Sequence, residues 1–287
     1  MEISKAVIAV AGSGTRLLPA TKAQPKEMLP IVDKPIIQYL VEELAGAGIQ
    51  DIIMVTRWDK KPLEDHFDRS VELEQSLEKA GKVGYLGMVQ KIPTLANFVY
   101  VRQKGPYGNG TPILSAGSLV DDEPFIFAFG DDLVKSKVSF TKQLVKAYKE
   151  YQCPIIGVQK VPKRTVDRYG IVKLKRGTNE VEDIIEKPSV SEAPSQLAQF
   201  GRMVLNQDII NILRDTPLGK GGELWVTDAL RTYVQKGGVV RALEIQDGEW
   251  FTTGDPLNYL KAMCEYALDR KDLAPELKKY LRARLAK

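Results

Sequence analysis

Histidine and cysteine are nearly missing from this chain of 287 residues, which has one His and two Cys. A Ser-His or Cys-His nucleophile pair would have to use His66 or not exist, and the EDHF setting of His66 reads as structural. Cys153 and Cys264 lie far apart in apolar surroundings. Two thiols alone make no metal site, and a reducing, cytoplasmic interior is expected. No apolar run approaches the roughly 20 residues that span a bilayer. The opening MEISKAVIAV carries an acid and passes straight into a strand, so no signal peptide and no membrane partner are expected. An excess of one charge is lacking too: 41 Lys and Arg oppose 37 Asp and Glu, a formal +4. The signs are interleaved and no basic stripe carries interleaved aromatics, which argues against a nucleic-acid partner. Internal repeats and low-complexity linkers are also absent from the sequence.

What is present is an alternation. Short β-branched and aromatic runs at 5–10, 52–56, 97–101, 124–129 and 154–158 are separated by amphipathic stretches such as PIIQYLVEELAGAG and VELEQSLEKAGK. The first of these puts Ile36, Leu40, Val41, Leu44 and Ala47 on one helical face. Uninterrupted apolar strands between helices predict an α/β fold with a mostly parallel sheet covered on both faces. After Tyr169 the rhythm changes: YGIVKLKR and VEDIIEKP alternate apolar and polar residues and read as a hairpin around Gly177, Thr178 and Asn179. Helices are expected from Gln207 and from Glu223 to Gln235, and VVRALEIQDGEWFTTG reads as another strand pair. Glu223 fits a helix start by complementing the helix dipole, and a structural reading suffices for Thr227 and Asp228. Helices should run from Leu257 onward. The whole chain, 1–287, reads as one unit with two lobes and a tail: 1–135, 136–256 and a basic, helical 257–287.

Chemistry concentrates where the first strand ends. VIAVAGSGTRLLPATKAQPKEMLP turns through Gly12, Ser13 and Gly14, whose unobstructed amides suit an anion. Arg16, Lys22 and Lys26 add cations in the same loop, and in open α/β sheets ligands sit beyond the carboxyl ends of strands. The stretch is neither a dinucleotide fingerprint, since Leu17 stands where a third glycine would, nor a P-loop. Asp131 and Asp132 follow the apolar strand PFIFAF and Gly130; neighbouring strand positions face opposite ways, so the two carboxylates are not expected to share a metal. Gln103 ends the strand FVYVRQ and offers both a donor and an acceptor, matching the edge of uracil and equally that of thymine.

The ordered set AGSGTRLLPATKAQPKEMLPIVDKPIIQYLVEE, HFDRSVELEQSLEKAGK, VRQKGPYGNG, FGDDLV, YGIV, IIEKP and WFTTGDPLNYLKA resembles the nucleoside-diphosphate-sugar pyrophosphorylase family over nearly the whole chain. The form of Thr21-Lys22-Ala23 and Pro25-Lys26-Glu27-Met28 is similar to bacterial UTP–glucose-1-phosphate uridylyltransferases. The resemblance implies a Rossmann-like catalytic lobe of mixed, mostly parallel sheet flanked by helices, a smaller sugar-binding lobe and magnesium as cofactor. Its substrates would be UTP and glucose 1-phosphate, and its assembly a homodimer or homotetramer. By the same resemblance Arg16 and Lys26 hold the triphosphate and Lys187 meets the sugar phosphate and α-phosphate. Ala11, Gly12, Gly14, Thr15, Gln103 and Gly108 hold the nucleotide; Asp132, Gly170 and Glu186 hold the sugar; and Asp131 binds the metal. The attacking phosphate oxygen is already an anion, so positioning and charge neutralisation carry such a reaction and no histidine is needed.

The pattern departs from the family in two places. Gly110-Thr111-Pro112 replaces a common Gly-His-Ala, tolerable if Pro112 opens a helix. In WFTTG, Thr252 stands where relatives carry a second metal-binding aspartate. The metal would then rest on Asp131, phosphates and water; or Asp255 would swing in; or activity would suffer. Magnesium's habit of using one or two carboxylates plus substrate phosphates favours the first. Two rivals remain: a thymidylyltransferase or other sugar-1-phosphate nucleotidyltransferase, and a non-catalytic nucleotide-sugar-binding protein.

Overall fold

The apolar runs form strands in a computed structural model that describes residues 2–286. In chain order these are β1 (Lys5–Ala9), β2 (Pro30–Ile31), β3 (Lys34–Pro35), β4 (Asp51–Thr56), β5 (Asn97–Arg102), β6 (Phe125–Phe129), β7 (Asp132–Ser136), β8 (Ile155–Lys160), β9 (Gly170–Leu174), β10 (Val181–Glu186), β11 (Leu197–Leu205), β12 (Arg241–Glu244) and β13 (Gly248–Thr252). One sheet runs β5-β4-β1-β6-β11-β9-β10, with β8 also paired to β11 and β12 beyond β8. The side β5-β4-β1-β6 is parallel throughout. The other side is built on antiparallel pairs: β11 meets β6 through residues 202–205, β9 through 197–199, and β8 along its length. The mixed, mostly helix-flanked α/β architecture is as expected.

Strand periodicity sends alternate side chains to two cores. Ala6, Ile8, Ile52, Met54, Ile126 and Ala128 face one, against Ile37, Leu40, Val41 and Leu44 of the helix Ile36–Gly46. Val7, Ile53, Val55, Phe125 and Phe127 face the other, against Ile113, Ala116 and Val120 of the helix Thr111–Val120. Burial of both faces is why these strands are apolar without alternation. Pro112 does open its helix, since the first turn has no use for its missing N–H. A third, smaller core of Ile31, Ile36, Leu133 and Ala262 ties the helix Pro256–Asp269 to β2 and β7. The helix Ala274–Leu285 follows, and no helix among the described residues is long and apolar enough to cross a membrane.

Two local expectations need correction. The two strands after Val239 do not pair with each other: β12 runs parallel to β8, and β13 is antiparallel to β7. The helix expected from Glu223 begins at Val226 instead. Leu224 is held extended by backbone bonds, its N–H donating to Tyr107 O (2.8 Å) and its carbonyl accepting from Gly110 N–H (2.9 Å). Asp132 begins β7 and is buried.

Candidate active site

The carboxyl ends of β1, β5 and β6 open onto one cleft of about 360 Å³. After β1, Gly14 adopts a left-handed φ of +66°, and a Cβ there would sit 3.3 Å from Lys26 and Thr21. Thr21 Oγ1 donates to the Gly14 carbonyl at 2.8 Å, so the loop folds back on itself and glycine is required at the bend. Short 3₁₀ turns, Thr15–Leu17 and Lys26–Met28, then carry Arg16 and Lys26 to the cleft wall.

Lys26 Nζ lies 2.5 Å from Asp131 Oδ2. Burial alone would push the Asp131 carboxyl up, but Lys26 and Arg16 outweigh it and hold it below the ordinary value. For Lys26 burial works against the charge, and Asp131 with Glu27 reverses that. For the Asp132 carboxyl, the nearby Arg202 does not offset the opposing effects. Burial and then Asp131 push it up to about 6, although Gly201 N–H donates to its Oδ2 at 2.9 Å. As the strand geometry implied, the two carboxylates meet different partners.

Two buried ion pairs stand behind this cluster. Glu27, fully buried beside Lys26, accepts from Lys60 Nζ at 2.9 Å. Its carboxyl is still raised by burial, and its Oε1 has no partner. Arg202, also fully buried, donates through Nη2 to the Asp132 carbonyl (3.0 Å) and Glu43 Oε2 (3.1 Å). Glu43 Oε1 in turn accepts from Thr141 N–H and Oγ1, while Thr253 N–H and Oγ1 donate to the Asp131 carbonyl at 2.9 and 2.8 Å. The Asp131-Asp132 turn is thus pinned from β11, from the helix Ile36–Gly46 and from the end of β13. Removing one partner of such a buried pair leaves an uncompensated charge, which makes the arrangement rigid.

On the β5 side, Gln103 N–H donates to Thr56 O (2.9 Å) and its side chain lines the cleft. Gly108 lines it too, with a φ of +122°; a Cβ there would fall 2.1 Å from the Leu224 carbonyl oxygen. No side chain fits between the two segments. The loop bearing Gln103 is thereby fastened across the cleft to the segment before helix Val226–Gln235.

The opposite wall carries hydrogen-bonding groups and aromatic rings, with Arg168 beside them. Gly170 begins β9, where a Cβ would come 3.1–3.2 Å from Gln199 Oε1, Glu186 Oε2 and Thr227 Oγ1. Thr227 Oγ1 donates to Glu186 Oε2 at 2.7 Å, and burial lifts the Glu186 carboxyl despite that bond. Gln199 carries this cluster to the cleft, beside Tyr169, Phe200 and Trp250. Trp250 stacks on Phe200 with centroids 5.3 Å apart and meets Tyr169 edge-on at 5.2 Å. Lys187 stands one side chain back. Its φ is +45°, and its ammonium lies 3.8 Å over the ring of Trp225, which does line the cleft.

Of the residues singled out from sequence, Ala11, Gly12, Arg16, Lys26, Gln103, Gly108, Asp131 and Asp132 share the cleft wall. Gly14, Thr15, Gly170, Glu186 and Lys187 do not line it, and Lys22 is exposed in the loop beyond. Sequence reasoning missed Gln199, Trp225, Trp250, Tyr169 and Arg168 in the wall, and Thr227 and Lys60 in support. Trp225 and Thr227 carried the nearest thing to a signal, following Glu223, which was read as a helix start and lines the cleft.

Magnesium can be tested against this donor set. Among the described residues no group of three His, Cys, Asp or Glu side chains converges. A Cβ on Gly254 would lie 2.9 Å from Asp131 Oδ2, 3.4 Å from Arg16 Nη2 and 3.7 Å from Thr252 Oγ1, so a carboxylate, a guanidinium and a hydroxyl flank one point. Asp255 is engaged elsewhere, accepting from Arg168 Nη2 (2.7 Å) and from Asn258 N–H (3.1 Å) as a helix cap. One carboxylate with a weak neighbour fits a magnesium whose remaining positions are filled by phosphates and water.

Residues 5–268 match the nucleotidyl transferase family model. The chain belongs to the nucleotidyl transferase family. This nucleotidyl transferase is 46% identical over 284 residues to a UTP–glucose-1-phosphate uridylyltransferase of Bacillus subtilis, covering 98% of this chain and 95% of that one. It is 44% identical to one from Staphylococcus epidermidis, covering 98% of each. Among solved structures, the UTP-bound UGPase of Acinetobacter baumannii superimposes with a TM-score of 0.89 at 39% identity, over 97% and 98% of the two chains. A UDP-glucose pyrophosphorylase complexed with UDP-glucose gives a TM-score of 0.83 at 40% identity, over 93% of this chain and 100% of that one.

Proposed function

We propose that this nucleotidyl transferase is a UTP–glucose-1-phosphate uridylyltransferase, making UDP-glucose and pyrophosphate. The observation that carries the reading is the cluster of Arg16, Lys26 and Asp131 in a cleft closed by Gln103 on one side and the Glu186–Thr227–Gln199 cluster on the other. The names of relatives at 44–46% identity over almost the full chain support it, as do the UTP and UDP-glucose bound by the solved structures at 39–40% identity.

In this reading a phosphate oxygen of glucose 1-phosphate attacks the α-phosphorus of UTP. One P–O bond forms, the bond to the bridging oxygen of the β-phosphate breaks, and pyrophosphate leaves with that electron pair. Nothing needs a general base, because the nucleophile is already ionised; fixed cations that neutralise crowded phosphate charge supply the acceleration. Arg16 and Lys26 take the triphosphate. Lys187, released from Trp225, takes the sugar phosphate and α-phosphate. Ala11, Gly12, Gly14, Thr15, Gln103 and Gly108 hold the nucleotide, and Asp132, Gly170 and Glu186 orient the sugar. Asp131, with Thr252 alongside, would hold magnesium, which when bound neutralises phosphate charge.

Residues 1–135 would then form a nucleotide lobe, 136–256 a sugar lobe and 257–287 a helical tail. Assembly as a homodimer or homotetramer follows from the resemblance, and the unpaired Cys153 and Cys264 support a cytoplasmic location. The test is pyrophosphate release with UTP against dTTP, each with glucose 1-phosphate. Preference for UTP in kcat/KM is expected. Preference for dTTP would make it a thymidylyltransferase, and binding of UDP-glucose without turnover would make it a binding protein.

A further inference from the structure

One cation beside the phosphate loop has no part in the account above. Arg57 directly follows β4, as the loop through Gly12 follows β1. Its Nη1 donates to Ser13 Oγ at 2.9 Å, in the middle of the anion-binding turn. Its remaining edge is held bidentately by Asp59, Nε to Oδ1 at 2.8 Å and Nη2 to Oδ2 at 2.5 Å. The main chain is fixed independently: Arg102 Nη1 donates to the Arg57 carbonyl, and Gln103 N–H to the neighbouring Thr56 carbonyl. The guanidinium is therefore aimed at the loop by its strand and keeps about a quarter of its surface open, at 27% exposure.

The sheet order gives its side of the site. Across β6-β1-β4, Asp131 follows β6, the Gly12 loop follows β1, and Arg57 follows β4. The aromatic wall lies beyond β6. In-line displacement puts the leaving group opposite the nucleophile. With the sugar phosphate entering from the β6 side, the departing phosphates lie toward β4. A planar guanidinium suits such oxygens, since it binds them in pairs and cannot lose its charge.

We propose that Arg57, held beside Ser13 by Asp59, binds the β- and γ-phosphates of the nucleotide and the pyrophosphate they become. Asp59 neutralises it in the free enzyme, and the incoming phosphates compete with that carboxylate. This inference deepens the uridylyltransferase reading and rests on it.

The test is calorimetric titration of the full chain, at fixed magnesium, with UTP, pyrophosphate and UDP-glucose in turn. UDP-glucose keeps the α-phosphate but lacks the leaving phosphates. Arg57→Gln should weaken UTP and pyrophosphate roughly tenfold, the scale of a charge-assisted bond, and leave UDP-glucose within about twofold. Asp59→Asn, which releases Arg57, should tighten pyrophosphate. Unchanged UTP and pyrophosphate affinities in Arg57→Gln would overturn the proposal, as would equal weakening of UDP-glucose. Weaker pyrophosphate binding in Asp59→Asn would overturn it too. A wild-type protein that binds pyrophosphate but neither nucleotide would overturn the substrate reading alone; one that binds none of the three overturns both.

Discussion

On the parallel side of the cleft, beyond β1, β4, β5 and β6, the functional groups are charges held by other charges: Lys26 by Asp131, Glu27 by Lys60, Arg57 by Asp59. On the antiparallel side they are hydrogen-bonding groups and rings, with Glu186, Thr227 and Gln199 sharing bonds beneath Tyr169, Phe200 and Trp250. The difference follows from what each side would meet. Phosphate charge is stabilised by cations that are already in place and need no reorganisation. A sugar is neutral and has one apolar face, so hydroxyl-matching acceptors and aromatic rings serve it better. Arg202 joins the two, donating from β11 to the Asp132 carbonyl at the start of β7.

The comparison breaks most visibly if the charged side is not rigidly held. Lys60→Met would leave Glu27 buried without its hydrogen-bonded partner, and should cost about 3–5 kcal/mol in urea unfolding. Lys60→Met combined with Glu27→Met should recover much of that loss. The pair Arg168–Asp255 on the other side is partly exposed, so Arg168→Met should cost less than about 1 kcal/mol. Equal costs would erase the distinction.

Next in size is a split in kinetics. Lys26→Met should lower kcat by about 10²–10³-fold, as loss of a preorganised charge does, with little change in KM for glucose 1-phosphate. Steady-state rates with each substrate varied in turn would show it.

A smaller effect belongs to the sugar side. Glu186→Gln should raise KM for glucose 1-phosphate roughly tenfold, as loss of a bond to a charged group does, and leave KM for UTP unchanged. Because burial lifts the Glu186 carboxyl above 4.5, KM in the wild type should climb as pH falls through that raised value. Stability runs the opposite way. The folded carboxyl keeps its proton above the unfolded value, so a penalty appears as pH rises from 4.5 through the folded value and then levels off. Glu186→Gln should remove both trends.

The same contrast explains what could be read from the sequence. The phosphate loop is local: Gly12, Gly14, Arg16 and Lys26 lie within 15 consecutive positions, and their residue types alone suggest an anion. Strands β1, β4 and β6 were legible because burial on both faces leaves them uninterruptedly apolar. The aromatic wall is assembled from β9, β10, β11, β13 and the helix Val226–Gln235, so no short stretch displays it. Gln199 and Thr227 are ordinary residues until Gly170 lets them meet Glu186. Helix Val226–Gln235 started later than its pattern implied because Leu224 is claimed by Tyr107 and Gly110. The partners of β12 and β13 were misread for a related reason: each finds its neighbour across a long connection, to β8 and β7.

The central claim is that charge fixed around Asp131 drives phosphoryl chemistry even with Thr252 as its neighbour. The most direct measurement is pyrophosphate release from UTP and glucose 1-phosphate across a magnesium titration, for the wild type and for Asp131→Asn. The account predicts turnover that requires magnesium, with tight metal affinity only when nucleotide is present, and its loss in the variant. Turnover that persists in Asp131→Asn, or tight magnesium binding by the free protein, would contradict it.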